Sequence, residues 1–142
     1  MTTTTAGRPG REAHEFSTSL TATPAAIRLL RDLTRVQLRA WDLPWLVDDA
    51  RLVVSELGTN ALAAAPGAVI EFRLFTEPEA LVVELWDPCL AAPVRRTARE
   101  EDTGGRGLEI VESLAEAWGA RFPGKGGKTV WARLPSTARE PR

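Results

Sequence analysis

Between Pro44 and Trp86 the spacing of apolar residues changes once, from a helical period to an alternating one, and this restricts the chain more than any other feature. Leu46, Val47, Ala50, Val53, Val54, Leu57 and Ala61 recur at three- and four-residue steps. That spacing predicts a long helix with one buried stripe, opened by Pro44 and closed by Pro66-Gly67. Ile70, Phe72 and Leu74 then alternate with Glu71 and Arg73, the pattern of a strand with one covered face. Glu77-Pro78-Glu79 is a turn, and Leu81–Trp86 returns as a more fully apolar strand that ends at Asp87-Pro88.

The flanks follow the same logic. Residues 1–12 are rich in Thr, Gly, Pro and Arg without periodicity and are expected to be a tail. His14, the only histidine, lies at its edge and is expected to be solvated. His14–Leu20 reads as a short first strand. Thr23-Pro24 then opens a helix that runs to about Trp41, with Ile27, Leu30, Leu33 or Thr34, and Leu38 on its buried side. Residues 88–103 hold prolines, an arginine pair and the charged run Arg99-Glu100-Glu101-Asp102; a stretch this long without a period is a lid, a binding loop or disorder. Thr103–Gly107 opens a helix with Leu108, Val111, Leu114 or Ala115, and Trp118 in helical spacing, stopped by Gly119. Two strands are expected around Ala120–Phe122 and Lys128–Leu134. The domain spans 13–135, with 136–142 a second tail.

Composition narrows the function. A chain of 142 residues fits one domain with a single core. A net charge of −1 argues against a nucleic-acid binder held by phosphate contacts, and no apolar run reaches membrane-spanning length. One cysteine, Cys89, excludes an internal disulfide, and the start shows no apolar signal region, so a cytoplasmic setting is expected.

Three places carry chemistry. Glu56 and Asn60 lie one turn apart on the long helix, so a carboxylate and a carboxamide face the same way. A neutral amide oxygen suits Mg²⁺ that already carries phosphates and water, and a neighbouring carboxylate can accept a proton from a group attacking a phosphoryl centre. Asp87 ends an apolar strand, where it can accept from an exocyclic amino group. Gly104-Gly105-Arg106-Gly107 precedes a helix, whose free N–H groups and dipole favour phosphate. Singly, each has a structural reading: a polar helix margin, a turn-forming Asp before Pro, and a glycine turn.

In order, Glu56-Leu57-Gly58-Thr59-Asn60-Ala61, Asp87-Pro88-Cys89, Gly105-Arg106-Gly107-Leu108 and Gly127-Lys128-Thr129-Val130-Trp131 resemble the N box, two glycine boxes and terminal strand of GHKL-type ATPases, the Bergerat fold. The likeness is greatest to stand-alone bacterial anti-sigma-factor serine/threonine-protein kinases. The resemblance implies an α/β two-layer sandwich, with a mixed, mostly antiparallel sheet covered on one face by helices, which agrees with the element order above. It implies ATP and Mg²⁺ as cofactors, Asn60 as the metal ligand, Glu56 as general base, and Asp87 on the adenine amino group with Thr129 supporting it. Gly105, Arg106, Gly107 and Leu108 would form the phosphate side. The implied partners are a sigma factor and a STAS-domain antagonist, with a homodimer as a further expectation.

The sequence departs from the family pattern at Ala63 and Ala64, where relatives often carry a basic residue and a histidine, and at Cys89. Arg95, Arg96, Arg99 or Arg106 are candidates to restore the lost charge. Three classes therefore stay in play: an active kinase, a nucleotide-binding interaction module, and a scaffold that binds no nucleotide. A sensor histidine kinase is disfavoured, because the chain shows no helical domain with a phosphoacceptor histidine.

Overall fold

The computed structural model describes residues 13–90 and 107–137. Strand β1 (Glu15–Thr21) is followed by helix α1 (Pro24–Ala40), a 3-10 turn (Pro44–Leu46) and helix α2 (Val47–Ala64). Strands β2 (Val69–Glu77) and β3 (Ala80–Asp87), helix α3 (Gly107–Leu114) and strands β4 (Ala117–Arg121) and β5 (Lys128–Pro135) complete the described chain. The strands form one five-stranded sheet in the order β1-β2-β3-β5-β4, and every neighbouring pair is antiparallel.

Local chemistry explains the elements. The Ala26 N–H donates to Thr23 Oγ1 at 3.0 Å, capping α1, while Pro24 occupies a position where no N–H is required. Ile27, Leu30, Thr34 and Leu38 are the buried stripe, and the Thr34 hydroxyl is satisfied by donating to the Leu30 carbonyl at 2.8 Å. Asp48 and Asp49 occupy the first turn of α2, where negative charge complements the helix dipole. Gly58 in the middle of α2 has a packing reason. A Cβ there would stand 2.8 Å from Ile27 Cδ1, so its absence lets α1 approach α2 closely, against a propensity cost of about 1 kcal/mol.

Alternation divides the sheet into two faces. Ile70, Phe72, Leu74, Leu81, Val83, Leu85, Val130, Ala132 and Leu134 point to the helices and are buried. Against them α2 lays Val53, Val54, Leu57 and Ala61, each such aliphatic side chain larger than alanine worth about 1.5–3 kcal/mol of burial. On the other face, Arg73 donates to Glu15 and Glu84, and Arg121 donates to Glu84 at 2.9 Å. Ion pairs thus occupy the face without helices.

Four expectations change. The last helix ends at Leu114, and Trp118 lies in β4 opposite Ala132. Its helical spacing from Leu114 is overridden because Ala117–Arg121 gains a ladder with β5, begun by the Glu116 N–H on the Arg133 carbonyl. Pro44 opens a 3-10 turn, and α2 itself begins at Val47. His14 is partly buried and not simply solvated: its ring stacks on Trp41 with centroids 5.0 Å apart, and its backbone N–H donates to Thr76 Oγ1. Beyond the expected boundary at 135, the Ser136 N–H donates to the Glu79 carbonyl, and its own carbonyl accepts from Trp45 Nε1.

Candidate functional site

Topology brings the separated motifs to one end of the sandwich. The C-terminal half of α2 feeds through Ala65–Ala68 into β2, and Glu71 pairs with Trp86, so that end of the sheet is also where β3 terminates at Asp87. There β5 begins, Lys128 opposite Asp87. Helix α3 runs back from this end: its last residue, Leu114, lines a small cleft with Leu46 and Asp49 at the start of α2. Its first residue, Gly107, is therefore at the Asp87 end.

Helix α2 meets α1 along one flank, where Arg31 Nη1 donates to Ser55 Oγ at 3.2 Å and Ile27 packs on Gly58. At about 100° per residue, Glu56 and Asn60 fall on the opposite flank. Both are partly buried, and neither side chain has a hydrogen bond or ion pair among the described residues. Burial pushes the Glu56 carboxyl above its ordinary value, since water is partly removed from around it. The result is a carboxylate with raised proton affinity one turn from an uncommitted amide. This is the donor set expected of a group that holds a phosphate-bound cation and a neighbour that takes a proton.

Asp87 is different in kind. It is 1 % exposed, and so is Lys128, whose Nζ lies 3.1 Å from Oδ1 and 3.1 Å from Oδ2. The Cys89 N–H donates to Oδ1 at 2.8 Å. The hairpin before β5 enforces this meeting. Gly127 has φ +70°, and a Cβ there would stand 2.3 Å from the Asp87 carbonyl oxygen, a position only glycine can occupy. Trp86 Nε1 donates to the Gly126 carbonyl at 2.8 Å and ties the hairpin to β3.

Thr129 does not join Asp87. It pairs with Trp86 and looks onto the open face, beside Glu84 and Lys125. The strand's period of two puts Lys128 on the helix side instead. Sequence reading missed Lys128, although the signal was present: Lys128, Val130, Ala132 and Leu134 are alternate residues, and three of them are apolar. Leu108 is buried at the base of α3, and Gly107 is its first residue. Gly105 and Arg106, together with Arg95, Arg96 and Arg99, lie outside the described residues. Two larger clefts lie elsewhere, one of about 420 Å³ beside His14 and Trp41 and one of about 490 Å³ on the open sheet face. Neither includes Glu56, Asn60 or Asp87.

The sheet is antiparallel and backed by helices on one face, with Asp87 at the end of β3 and Asn60 on α2 beside it. The family description "Histidine kinase-like ATPase domain" matches residues 20–134, and the chain belongs to that family. Among solved structures, the chain is similar to the RsbU and RsbW domains of Rv1364c from Mycobacterium tuberculosis, with 21% identity and a TM-score of 0.60. The match covers 91% of this chain and 35% of that one, so this chain spans about a third of that protein's length. A comparison with curated proteins finds no match. No helix among the described residues is long and apolar enough to cross a membrane.

Proposed function

We propose that this chain binds MgATP and acts in the cytoplasm as an anti-sigma-factor serine/threonine kinase, phosphorylating a STAS-domain antagonist in a partner switch. The observation that carries this reading is the α2 flank, where Asn60 and Glu56 stand together without protein partners among the described residues, at the end of the sheet that holds Asp87. Family membership and the likeness to a solved structure of RsbU and RsbW domains support it.

The residues fit the nucleotide. Asn60 would hold the Mg²⁺ on the phosphates, Asp87 would face the base, and Gly105, Arg106, Gly107 and Leu108 would border the phosphates. Bound MgATP supplies the phosphoryl group. Glu56, with its proton affinity raised by burial, accepts the proton of the attacking serine or threonine hydroxyl. Phosphate on the antagonist places about two negative charges in the interface and drives release. The sigma factor is then the alternative partner.

The test is transfer of labelled phosphate to a purified STAS-domain protein, alongside titration with MgATP. Glu56→Ala is expected to keep nucleotide binding and lose transfer, by roughly 100-fold or more, while Asn60→Ala loses MgATP binding itself. Binding without transfer by the wild-type protein would favour the second reading, a nucleotide-dependent interaction module. Ala63 and Ala64 are the specific reason to keep that reading, since they leave this part of α2 without the basic charge relatives often carry.

A further inference from the structure

Strand β1 forms one edge of the sheet and, among the described strands, pairs only with β2. The Thr76 N–H donates to the His14 carbonyl and the Ala22 N–H to the Ala68 carbonyl, so the even-numbered residues of this stretch turn their backbone groups toward β2. The N–H and C=O groups of Glu15, Ser17, Ser19 and Thr21 therefore point out of the sheet. Edge strands are commonly blunted by lysine, proline, a bulge or an inward charge. Between Phe16 and Leu20 this one carries none of the residues that do so.

Helix α1 continues this edge with an uncharged flank. Arg31 and Ile27 turn to α2, which packs over β3 and β5. At about 100° per residue, Leu29, Leu33, Val36 and Ala40 fall on the opposite side of α1, toward β1. Leu29 is 45 % exposed and Val36 50 %. Below them Phe16, Thr18 and Leu20 face the helix layer yet are only partly buried. The charges of α1 lie elsewhere, with Arg28, Arg35 and Arg39 on its outer face. We propose that a second copy of this chain adds at this edge, β1 against β1 in antiparallel register about a two-fold axis at Thr18, joining two sheets into one.

The strand's own sequence selects that occupant. Phe16-Ser17-Thr18-Ser19-Leu20 reads as apolar, Ser, Thr, Ser, apolar in either direction. About Thr18, Phe16 of one copy meets Leu20 of the other on the helix side, an apolar cross-strand pair. Ser17 meets Ser19 and Glu15 meets Thr21, and these are the residues whose outward N–H and C=O groups are free to exchange hydrogen bonds. No like charges oppose each other. A shift of two residues would set Phe16 or Leu20 against Thr18 and leave outward groups without partners. A strand edge alone buries less than the roughly 800 Å² per partner of a stable interface, and the apolar flank of α1, brought beside that of the other copy, supplies further area.

The experiment is sedimentation equilibrium of the full chain, with circular dichroism to confirm folding. Wild type is expected to be a dimer. Ser17→Pro removes an outward N–H that β2 does not use, and Val36→Glu puts a charge on the exposed flank of α1. Each is expected to raise the dimer dissociation constant roughly tenfold or more. Thr18→Cys in a Cys89→Ser background reads the register: Thr18 meets itself in a non-hydrogen-bonded pair, whose Cα spacing suits a disulfide. Mild oxidation is expected to link the copies there, and not through Ser19→Cys in the same background. Val36→Glu and the two cysteine variants carry the test if the proline variant does not fold. A monomeric wild type overturns the inference. So does a dimer that the folded variants leave intact and that Thr18→Cys does not link, which would assign the contact to another face.

Discussion

Two acids of this molecule, Asp87 and Glu56, lie at the same end of the sandwich in opposite electrostatic conditions. Asp87 is sealed from solvent and matched by Lys128 and the Cys89 N–H. Glu56 is partly buried with no cation beside it among the described residues, and desolvation by burial raises its proton affinity. The difference teaches that burial by itself does not mark a reactive acid. A carboxylate satisfied from within holds two strands together, whereas one desolvated without a partner retains capacity for an incoming proton or metal-bound group.

That contrast can be broken most directly at Lys128. Lys128→Met leaves Asp87 as an uncompensated buried charge and is expected to cost about 3–5 kcal/mol in urea unfolding; a loss below 1 kcal/mol would show that the pair is not the tie described here. Gly127→Ala is expected to cost about 3 kcal/mol by the same measurement, combining a positive φ with a clash against the Asp87 carbonyl. Its effect reaches the pair only through the backbone, so it separates the hairpin's contribution from the charge's.

The smallest effect belongs to Glu56 and has the opposite sign. Because its folded pKa is raised, the carboxylate favours folding in its protonated form, a contribution present below the ordinary Glu value and lost as pH rises through the folded value. Glu56→Gln is therefore expected to raise Tm modestly at pH 7 and to leave it unchanged in acid below the ordinary Glu range. A Tm that falls at neutral pH would mean that Glu56 has a stabilising cation after all. As a carboxylate at neutral pH, Glu56 thus works against folding, whereas the Asp87 carboxylate is compensated by Lys128.

Much of this was legible in the chain. Apolar spacing marked the central helix and the β2–β3 hairpin, and Thr23-Pro24 marked the start of α1, because those signals are local. Glu56 and Asn60 were visible as a pair because a helix turn is shorter than the distance over which tertiary structure intervenes. Trp118 was misplaced for the converse reason: its spacing from Leu114 is compatible with a helix, and only the ladder offered by β5 decides for a strand. His14 was assigned to solvent because nothing local announces Trp41, twenty-seven positions away in sequence, as its stacking partner.

The sequence by itself determined the element types, the family pattern and the presence of an acid at the end of β3, all of which depend on residues near one another in the chain. Only the tertiary structure decided that Asp87 meets Lys128 and not Thr129. That choice depends on the register between β3 and β5, strands separated by forty residues, and on a hairpin whose Gly127 has space for no side chain. In a strand a shift of one residue exchanges the two faces, so register alone assigned the lysine to the site and the threonine to the open sheet.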